Sequence, residues 1–304
     1  MRILCFGSLN IDFVYQVPHF VSGGETLAAS SLNRFSGGKG LNQSIALAKA
    51  GMEVCHAGAI GIDGTFLLEE LRAAGVDTGY VKVLEDVRTG HAIIQKNGDG
   101  ENCILLYGGA NQQIMQKQIK ETLASFGSGD ALILQNEISG LPCLVKQARE
   151  QGMTIALNPS PMEDTLLSLV SSVDYLLLNE IEAAQLLYRM GKAVPKEAET
   201  LAALLRESLP ETAILLTLGK QGSLYAGNAG QVRQKALAVQ AVDTTAAGDT
   251  YTGFFLAGIF GGQSVEQAME YASVASAIAV ARPGAAPSIP TRNEVLAMMK
   301  WNRA

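Results

Sequence analysis

Asp243-Thr244-Thr245-Ala246-Ala247-Gly248-Asp249-Thr250 opens a long uncharged apolar run, Tyr251 to Val265, that reads as a buried helix. Small residues at such a helix start let backbone N–H groups approach an oxyanion, and the positive end of the helix dipole favours the negative charge. Asp249 stands beside that anion. Phosphoryl transfer needs both features, a carboxylate to take the proton of an attacking hydroxyl and fixed donors for the phosphoryl oxygens. Asp is also a common N-cap and Gly a common turn residue, so the octapeptide alone fits capping as well as catalysis. On either reading it is a turn feeding a buried helix, the kind of junction from which α/β chains are built.

A second glycine cluster repeats the arrangement. Ser36-Gly37-Gly38-Lys39-Gly40-Leu41-Asn42-Gln43-Ser44 leads into Ile45-Ala46-Leu47-Ala48-Lys49-Ala50, an Ala-rich helix with Gly51 at its C′ position. It is not a P-loop, since Gly40 follows Lys39 where Ser or Thr is required and the upstream glycine spacing is wrong. Gly58-Ala59-Ile60-Gly61 does not complete a dinucleotide fingerprint either. The chain offers anion-binding turns without either common nucleotide motif.

The chain has 304 residues, 48% of them hydrophobic, enough to bury a large core. Length alone leaves open one large domain with a small excursion or two domains. The net charge of −6 and the scattered basic residues offer no phosphate-backbone track, so a nucleic-acid partner is not expected. Cys5, Cys55, Cys103 and Cys143 lie far apart without Cys-x-x-Cys spacing, and Cys5 and Cys143 sit in apolar contexts typical of buried free thiols. This fits a reducing cytoplasm. No signal segment begins the sequence, and the run from Thr250 to Val265 falls short of the ~20 residues of a spanning helix, so no membrane role is expected.

Short apolar runs at Arg2 to Phe6, Glu53 to Ala57, Ala131 to Leu134, Thr154 to Leu157, Tyr175 to Leu178 and Ala213 to Leu216 are candidate buried strands, mostly separated by helical patterns. Such alternation argues a mostly parallel sheet with helices on both faces. Phe13 to Phe35 and Arg88 to Tyr107 break it. They show strand-like alternation around the turn Asn97-Gly98-Asp99-Gly100 and lack helices, so a small separate sheet is expected from them.

Together these motifs resemble, in order and over nearly the whole chain, those of the ribokinase family of sugar kinases, the phosphofructokinase-B type. The matching segments are Gly7-Ser8-Leu9-Asn10-Ile11-Asp12, Gly24-Glu25-Thr26, the Gly-Gly-Lys-Gly-x-Asn-Gln turn, Gly100-Glu101-Asn102 with Gly109-Ala110-Asn111, Asn179-Glu180-Ile181-Glu182, Thr217-Leu218-Gly219, the Asp243 octapeptide and Arg282 to Ser288. The resemblance implies a three-layer α/β/α fold over residues 1–304, with the small sheet as a lid over the sugar and two lids clasped in a homodimer. It implies that Asp249 is the general base, a role that suits a weakly acidic sugar hydroxyl. Ala246, Ala247 and Gly248 become the anion hole.

Carried over residue by residue, Asn10, Asp12, Gly38, Lys39 and Asn42 become sugar-binding positions, which suits a polyol's need for paired donors and acceptors. Asp12 by itself reads more often as a solvated turn residue. Ala92, Ile94 and Leu106 match aliphatic lid positions, against plain strand packing, and Glu137 matches an acid at the end of a core strand. Asn179 and Glu182 match an Asn-x-x-Glu motif that organises Mg²⁺ and phosphate through water; capping of a helix explains the same pair, and both readings can hold. Thr217, Gly219 and Gly222 match the loop along ATP, with Lys220 beside them. Ser273 stands where the family places an Asn near adenine. Asp243, Thr245, Ala279, Arg282, Gly284 and Ser288 match a monovalent-cation loop whose mostly oxygen donors suit K⁺.

The expected reaction is transfer of the ATP γ-phosphoryl group to the primary hydroxyl of a pentose such as ribose. A phosphorylated sugar held by Arg88, another sugar, or a nucleoside using Phe13, Tyr15 or Phe35 would keep the reaction and change the substrate. A sugar-binding regulator on the same fold is the third reading, disfavoured by an intact Asp249 with its anion hole.

Overall fold

Alternate residues of the first strand point into different layers, Ile3 and Cys5 into one apolar cluster and Leu4 and Phe6 into another. All four are fully buried, so this strand lies inside a sheet covered on both faces. The computed structural model describes residues 1–99, 101–228 and 230–302; the Gly100 part of the expected turn lies outside the described residues.

The first half of the chain runs β1 (Ile3–Phe6), β2 (Asn10–Gln16), β3 (Ser31–Gly37), α1 (Lys39–Lys49), β4 (Val54–Gly61), α2 (Thr65–Ala73), β5 (Asp77–Leu84), β6 (Gly90–Lys96), β7 (Asn102–Tyr107), α3 (Gln116–Leu123) and β8 (Ala131–Gln135). It continues through α4 (Leu141–Glu150), β9 (Thr154–Asn158), β10 (Tyr175–Asn179), α5 (Glu180–Arg189), α6 (Ala198–Ser208), β11 (Ala213–Thr217), β12 (Ser223–Gly227) and β13 (Gly230–Gln234). Helices α7 (Ala247–Phe260), α8 (Val265–Val280) and α9 (Arg292–Asn302) close it.

The nine-stranded sheet has the order β13-β12-β11-β10-β9-β8-β1-β4-β5. From β5 to β11 every neighbouring pair is parallel; β12 and β13 are antiparallel additions. One face packs under α3 to α6, the other under α1, α2 and α7 to α9. Phe6, Phe254 and Phe255 are fully buried, and each such side chain contributes about 1.5–3 kcal/mol by leaving water. The expected three-layer architecture is present. The chain leaves β1 toward β4 on one side and reaches β8 on the other. Strand order reverses there, and the crevice beyond the carboxyl ends of β1 and β8 is where open α/β sheets bind ligands.

The second sheet has the order β3-β2-β6-β7. Only three residues separate β1 from β2, so the chain passes directly from the core sheet into the small one. All of β7 and most of β3 are exposed, so this sheet projects rather than packs.

Several elements differ from the sequence expectation. Helix α7 starts at Ala247 and ends at Phe260, rather than spanning Tyr251 to Val265. Gly261-Gly262 stops it, and Ser264 and Gln267 form a reciprocal capping box that starts a new helix at Val265. Helix α1 begins at Lys39 and ends as expected, with Gly51 in the left-handed region at φ 101°. Cys5 is buried as expected, but Cys143 is only half-buried on α4. Among the described residues no helix is long and apolar enough to cross a membrane.

Candidate active site

The crevice at the switch point is built by close backbone crossings. A Cβ at Gly40 would sit 2.6 Å from the Gly7 carbonyl carbon, so only glycine lets the start of α1 lie against the end of β1. Gly38, at φ 97°, turns the chain out of β3 and into α1. That approach joins Ser8, Lys39 and Glu137: the Lys39 N–H donates to Glu137 Oε2 at 3.1 Å, and the Ser8 hydroxyl donates to the same oxygen.

Asp249, in the first turn of α7, reaches into the crevice from the opposite helix and is 8% exposed. Asn42 Nδ2 donates to its Oδ2 at 3.0 Å, and Gln43 Nε2 to its Oδ1 at 2.9 Å. Burial pushes Asp249 above the ordinary carboxylate range, and Lys39, Gln43 and Asn42 pull it part of the way back. Burial likewise opposes the Lys39 charge, yet Asp249, Glu137 and Glu182 around it hold its proton above the ordinary lysine value. A permanent cation therefore stands among three carboxylates.

The small sheet supplies the other wall. Cross-strand register sets Phe35, Asp12, Ala92 and Leu106 in one row, with Val14, Ile94 and Ile104 two residues on. Residues in such a row share a face. Ala92 is buried, Ile94 half-buried and Leu106 exposed. Burial and the neighbouring Glu137 push the Asp12 carboxyl up to about 6. Burial also raises Glu137, against the pull of Lys39 and Ser8. Asn10 is buried and accepts from Asn111 Nδ2 at 2.7 Å. Phe13 alternates to the other face, where it meets the His91 ring edge-on, away from Asp12.

Two cavities open beyond Asp249. One of about 190 Å³ is lined by Lys39, Asn179, Glu182, Thr217, Thr245 and Asp249 among others. The other, of about 570 Å³, is lined by the Gly219 to Gly222 turn, Ala236 to Val239, Ala247, Tyr251, Ser273 and Ala277 among others. Gly248 lines both. Ala247 lines the larger one and gives its N–H to the Thr244 carbonyl at 3.2 Å; Ala246 lines neither and is buried. The three small residues are therefore not equivalent donors. Ser273 donates to the Lys235 carbonyl at 3.3 Å.

Asn179 caps α5 through a capping box with Glu182, accepting from its N–H at 2.8 Å while Glu182 Oε2 accepts from Asn179 N at 3.0 Å. The same two side chains line the smaller cavity, so the capping reading and the ligand-facing reading coexist. Asp243 accepts from the N–H and hydroxyl of Thr245 and, at 3.2 Å, from Gly284 N. These bonds hold its carboxyl below the ordinary range despite burial. The Ala279 carbonyl accepts from Arg282 N, Arg282 pairs with Glu294 at 2.6 Å, and the Ser288 hydroxyl donates to the Ala285 carbonyl at 2.7 Å. Arg88 is 79% exposed and faces Asp63 at 3.5 Å. Gln43, which ends the Gly-Gly-Lys-Gly-x-Asn-Gln turn without a role assigned from the sequence, lies beneath Asp249 with Gln135, which no motif singles out; Gln135 Nε2 donates to Gln43 Oε1 at 2.7 Å.

A buried carboxylate at a helix start, between a polar crevice and a two-chambered cavity, defines a phosphotransferase site of the small-molecule kinase class. The family model for pfkB family carbohydrate kinases matches residues 1–292, and the chain belongs to that family. It is 34% identical to the ribokinase of Haemophilus influenzae over 97% of both chains, and 36% identical to that of Schizosaccharomyces pombe over 97% of this chain and 96% of that one. It superposes on the Cryptococcus neoformans ribokinase in complex with ADP with a TM-score of 0.87, at 35% identity and with 98% of this chain and 99% of that one covered.

Proposed function

We propose that this chain is an ATP-dependent ribokinase, moving the γ-phosphoryl group of ATP to the primary hydroxyl of ribose. The observation that carries the reading is Asp249: buried, held by two amides, and standing between the polyol-type cluster and the cavities. In this reading Asp249 accepts the hydroxyl proton as the oxygen attacks phosphorus. The Gly248 N–H and Lys39 stabilise the charge that spreads over the phosphoryl oxygens. Asp12, Asn10, Asn42, Gly38 and Glu137 hold the sugar. Asn42 Oδ1 is buried without a partner, which suits an acceptor left for a sugar hydroxyl.

ATP occupies the larger cavity, its base against the apolar wall that includes Ala277, with Thr217, Gly219, Gly222 and Ser273 around it. Glu182, with Asn179, would hold Mg²⁺ through water; one carboxylate and a roomy polar cavity fit a cation that keeps its hydration shell. Mg²⁺ supplies charge neutralisation between the phosphates. The oxygen-rich loop of Asp243, Thr245, Ala279, Arg282, Gly284 and Ser288 fits K⁺, which would stiffen the anion-binding turn. The four strands of the small sheet act as the lid within one kinase unit over 1–304. Exposed Leu105 and Tyr107, 67% and 55% accessible, fit lid-to-lid dimerisation. Four free thiols fit the cytoplasm.

Phosphoryl-transfer assays on ribose, deoxyribose, fructose, fructose 6-phosphate and adenosine test the reading. Ribose should show the highest kcat/KM; turnover of none of the five would overturn it in favour of a binding protein.

A further inference from the structure

Beneath Asp249 runs a chain of buried donors that all point the same way. Gln135, at the end of β8, donates from Nε2 to Gln43 Oε1 at 2.7 Å; Gln43, on α1, donates from Nε2 to Asp249 Oδ1 at 2.9 Å. Both glutamines are completely buried. We propose that Gln43, held in turn by Gln135, is a positioning residue for the base, fixing which way the Asp249 carboxylate faces and keeping it ready to take a proton. This rests on the reading of Asp249 as the general base.

Three observations carry the proposal. Gln135 lies on a fully buried strand of the central sheet, so the relay ties the base to that sheet, while Asp249 itself sits on a helix start. The orientation of both amides is fixed at the same time. Gln43 Oε1 accepts from Gln135, so only its Nε2 is left to face Asp249; reversing the Gln43 amide would set an oxygen against a carboxylate. The arrangement is also costly, which argues that it is not incidental packing: Gln135 Oε1 is buried without a partner, against the Gly7 backbone. Successive donors polarise one another, so the second amide strengthens the bond made by the first.

The relay acts within a crowded electrostatic setting. Lys39 on α1, Glu137 beyond β8 and Glu182 on α5 all face Asp249, and Cys5 on β1 lies near enough to feel its charge. Of these groups only Lys39 favours ionised Asp249. With burial pushing its proton affinity up, the Gln43 N–H is one of three influences that bring it down. Removing that donor should therefore raise the pH at which the base becomes ionised and also loosen its geometry. Neither glutamine lines either cavity, so the binding of ribose and ATP should barely change.

Gln43→Leu and Gln135→Met test it, with ribose and MgATP as substrates. Gln43→Leu should lower kcat by roughly ten- to a hundredfold, the usual effect of deleting one hydrogen bond to a charged group. The acid limb of its kcat–pH profile should move to higher pH, and both KM values should stay within about twofold. Gln135→Met, which does not touch the base, should show the same signature at a few-fold level and keeps the test alive if Gln43→Leu fails to fold. An unshifted acid limb in folded Gln43→Leu or Gln135→Met, or a loss confined to KM, would overturn the relay. Asp249→Asn run alongside separates the two readings. If it retains turnover, the base assignment falls and the relay with it; if it is inactive while Gln43→Leu behaves as wild type, the relay alone falls.

Discussion

Asn42 and Asp249 are 207 residues apart in sequence, yet the amide of one donates to the carboxylate of the other at 3.0 Å. The bond joins the helix that follows one glycine turn to the helix that follows the other. It also joins the sugar-side cluster to the base, because the opposite end of the Asn42 amide is free.

Asp249→Asn should therefore separate chemistry from binding. Turnover should fall by about a hundred- to ten-thousand-fold, the worth of a positioned acid or base. Ribose binding, followed by titration calorimetry, should be nearly intact. Near wild-type turnover in the folded variant would remove Asp249 from the base role.

Asp12 is the residue whose loss should damage binding most. Asp12→Ala leaves sugar hydroxyls unpaired in a buried cleft, at about 1–3 kcal/mol, so the ribose-induced heat should disappear at ordinary protein concentrations. Ribose should lead the substrate panel. Arg88, exposed and already facing Asp63, is poorly placed as a phosphate anchor, and fructose 6-phosphate outcompeting ribose would reverse that judgement.

The same carboxyl should make the protein pH-sensitive. Its folded value of about 6 lies above its ordinary 3.8, so between these values the native state binds more proton than the unfolded chain. Stability must then fall as pH rises from about 3.8 to about 6 and level off above, by up to about 3 kcal/mol from this group. Asp12→Asn should flatten that slope in thermal melts without sugar. Ribose affinity should move the other way, strengthening as Asp12 ionises; a wild-type affinity unchanged between pH 5 and pH 7.5 would contradict this.

Potassium should raise kcat more than it lowers KM, because an ion in the Asp243 loop acts by fixing the donors of the α7 turn rather than by touching substrate. Sodium should substitute poorly. Ser288→Ala, removing one oxygen from the loop, should weaken the apparent K⁺ affinity with the fold unchanged by circular dichroism. Equal activity in sodium-only and potassium-only buffers at matched ionic strength would count against a cation site.

The buried parallel strands were legible because Ile3 to Phe6 or Leu176 to Leu178 must be apolar on both faces. Strand β5 was not: Asp77, Gly79 and Lys82 interrupt its pattern, and it forms because β4 offers an open edge. The antiparallel pair β12 and β13 escaped too: β12 is a short run between Ser223 and Gly227, and Gln231, Arg233 and Gln234 interrupt β13. At the site, the two glycine turns announced themselves, since close backbone approach demands small residues that stand out in a sequence. Gln43 stands in one of those turns, but its role and that of Gln135 stayed hidden, because a glutamine's meaning depends on what it faces across 92 positions of chain. The boundary between α7 and α8 was blurred by two apolar helices separated only by Gly261-Gly262 and a short cap.

The position of β1 inside the sheet, between β4 and β8, has a consequence for how this chain is made. Its partner β4 ends at Gly61, but β8, which covers its other edge, begins only at Ala131. At ribosomal rates of ~5–20 residues per second, roughly 4 to 14 seconds separate the synthesis of those two partners. During that interval the fully apolar edge of Ile3 to Phe6 is exposed on the nascent chain, the kind of edge that invites pairing between molecules. Yield in a cell should therefore depend on translation speed between residues 61 and 131, and on chaperones that shield a strand waiting for its neighbour.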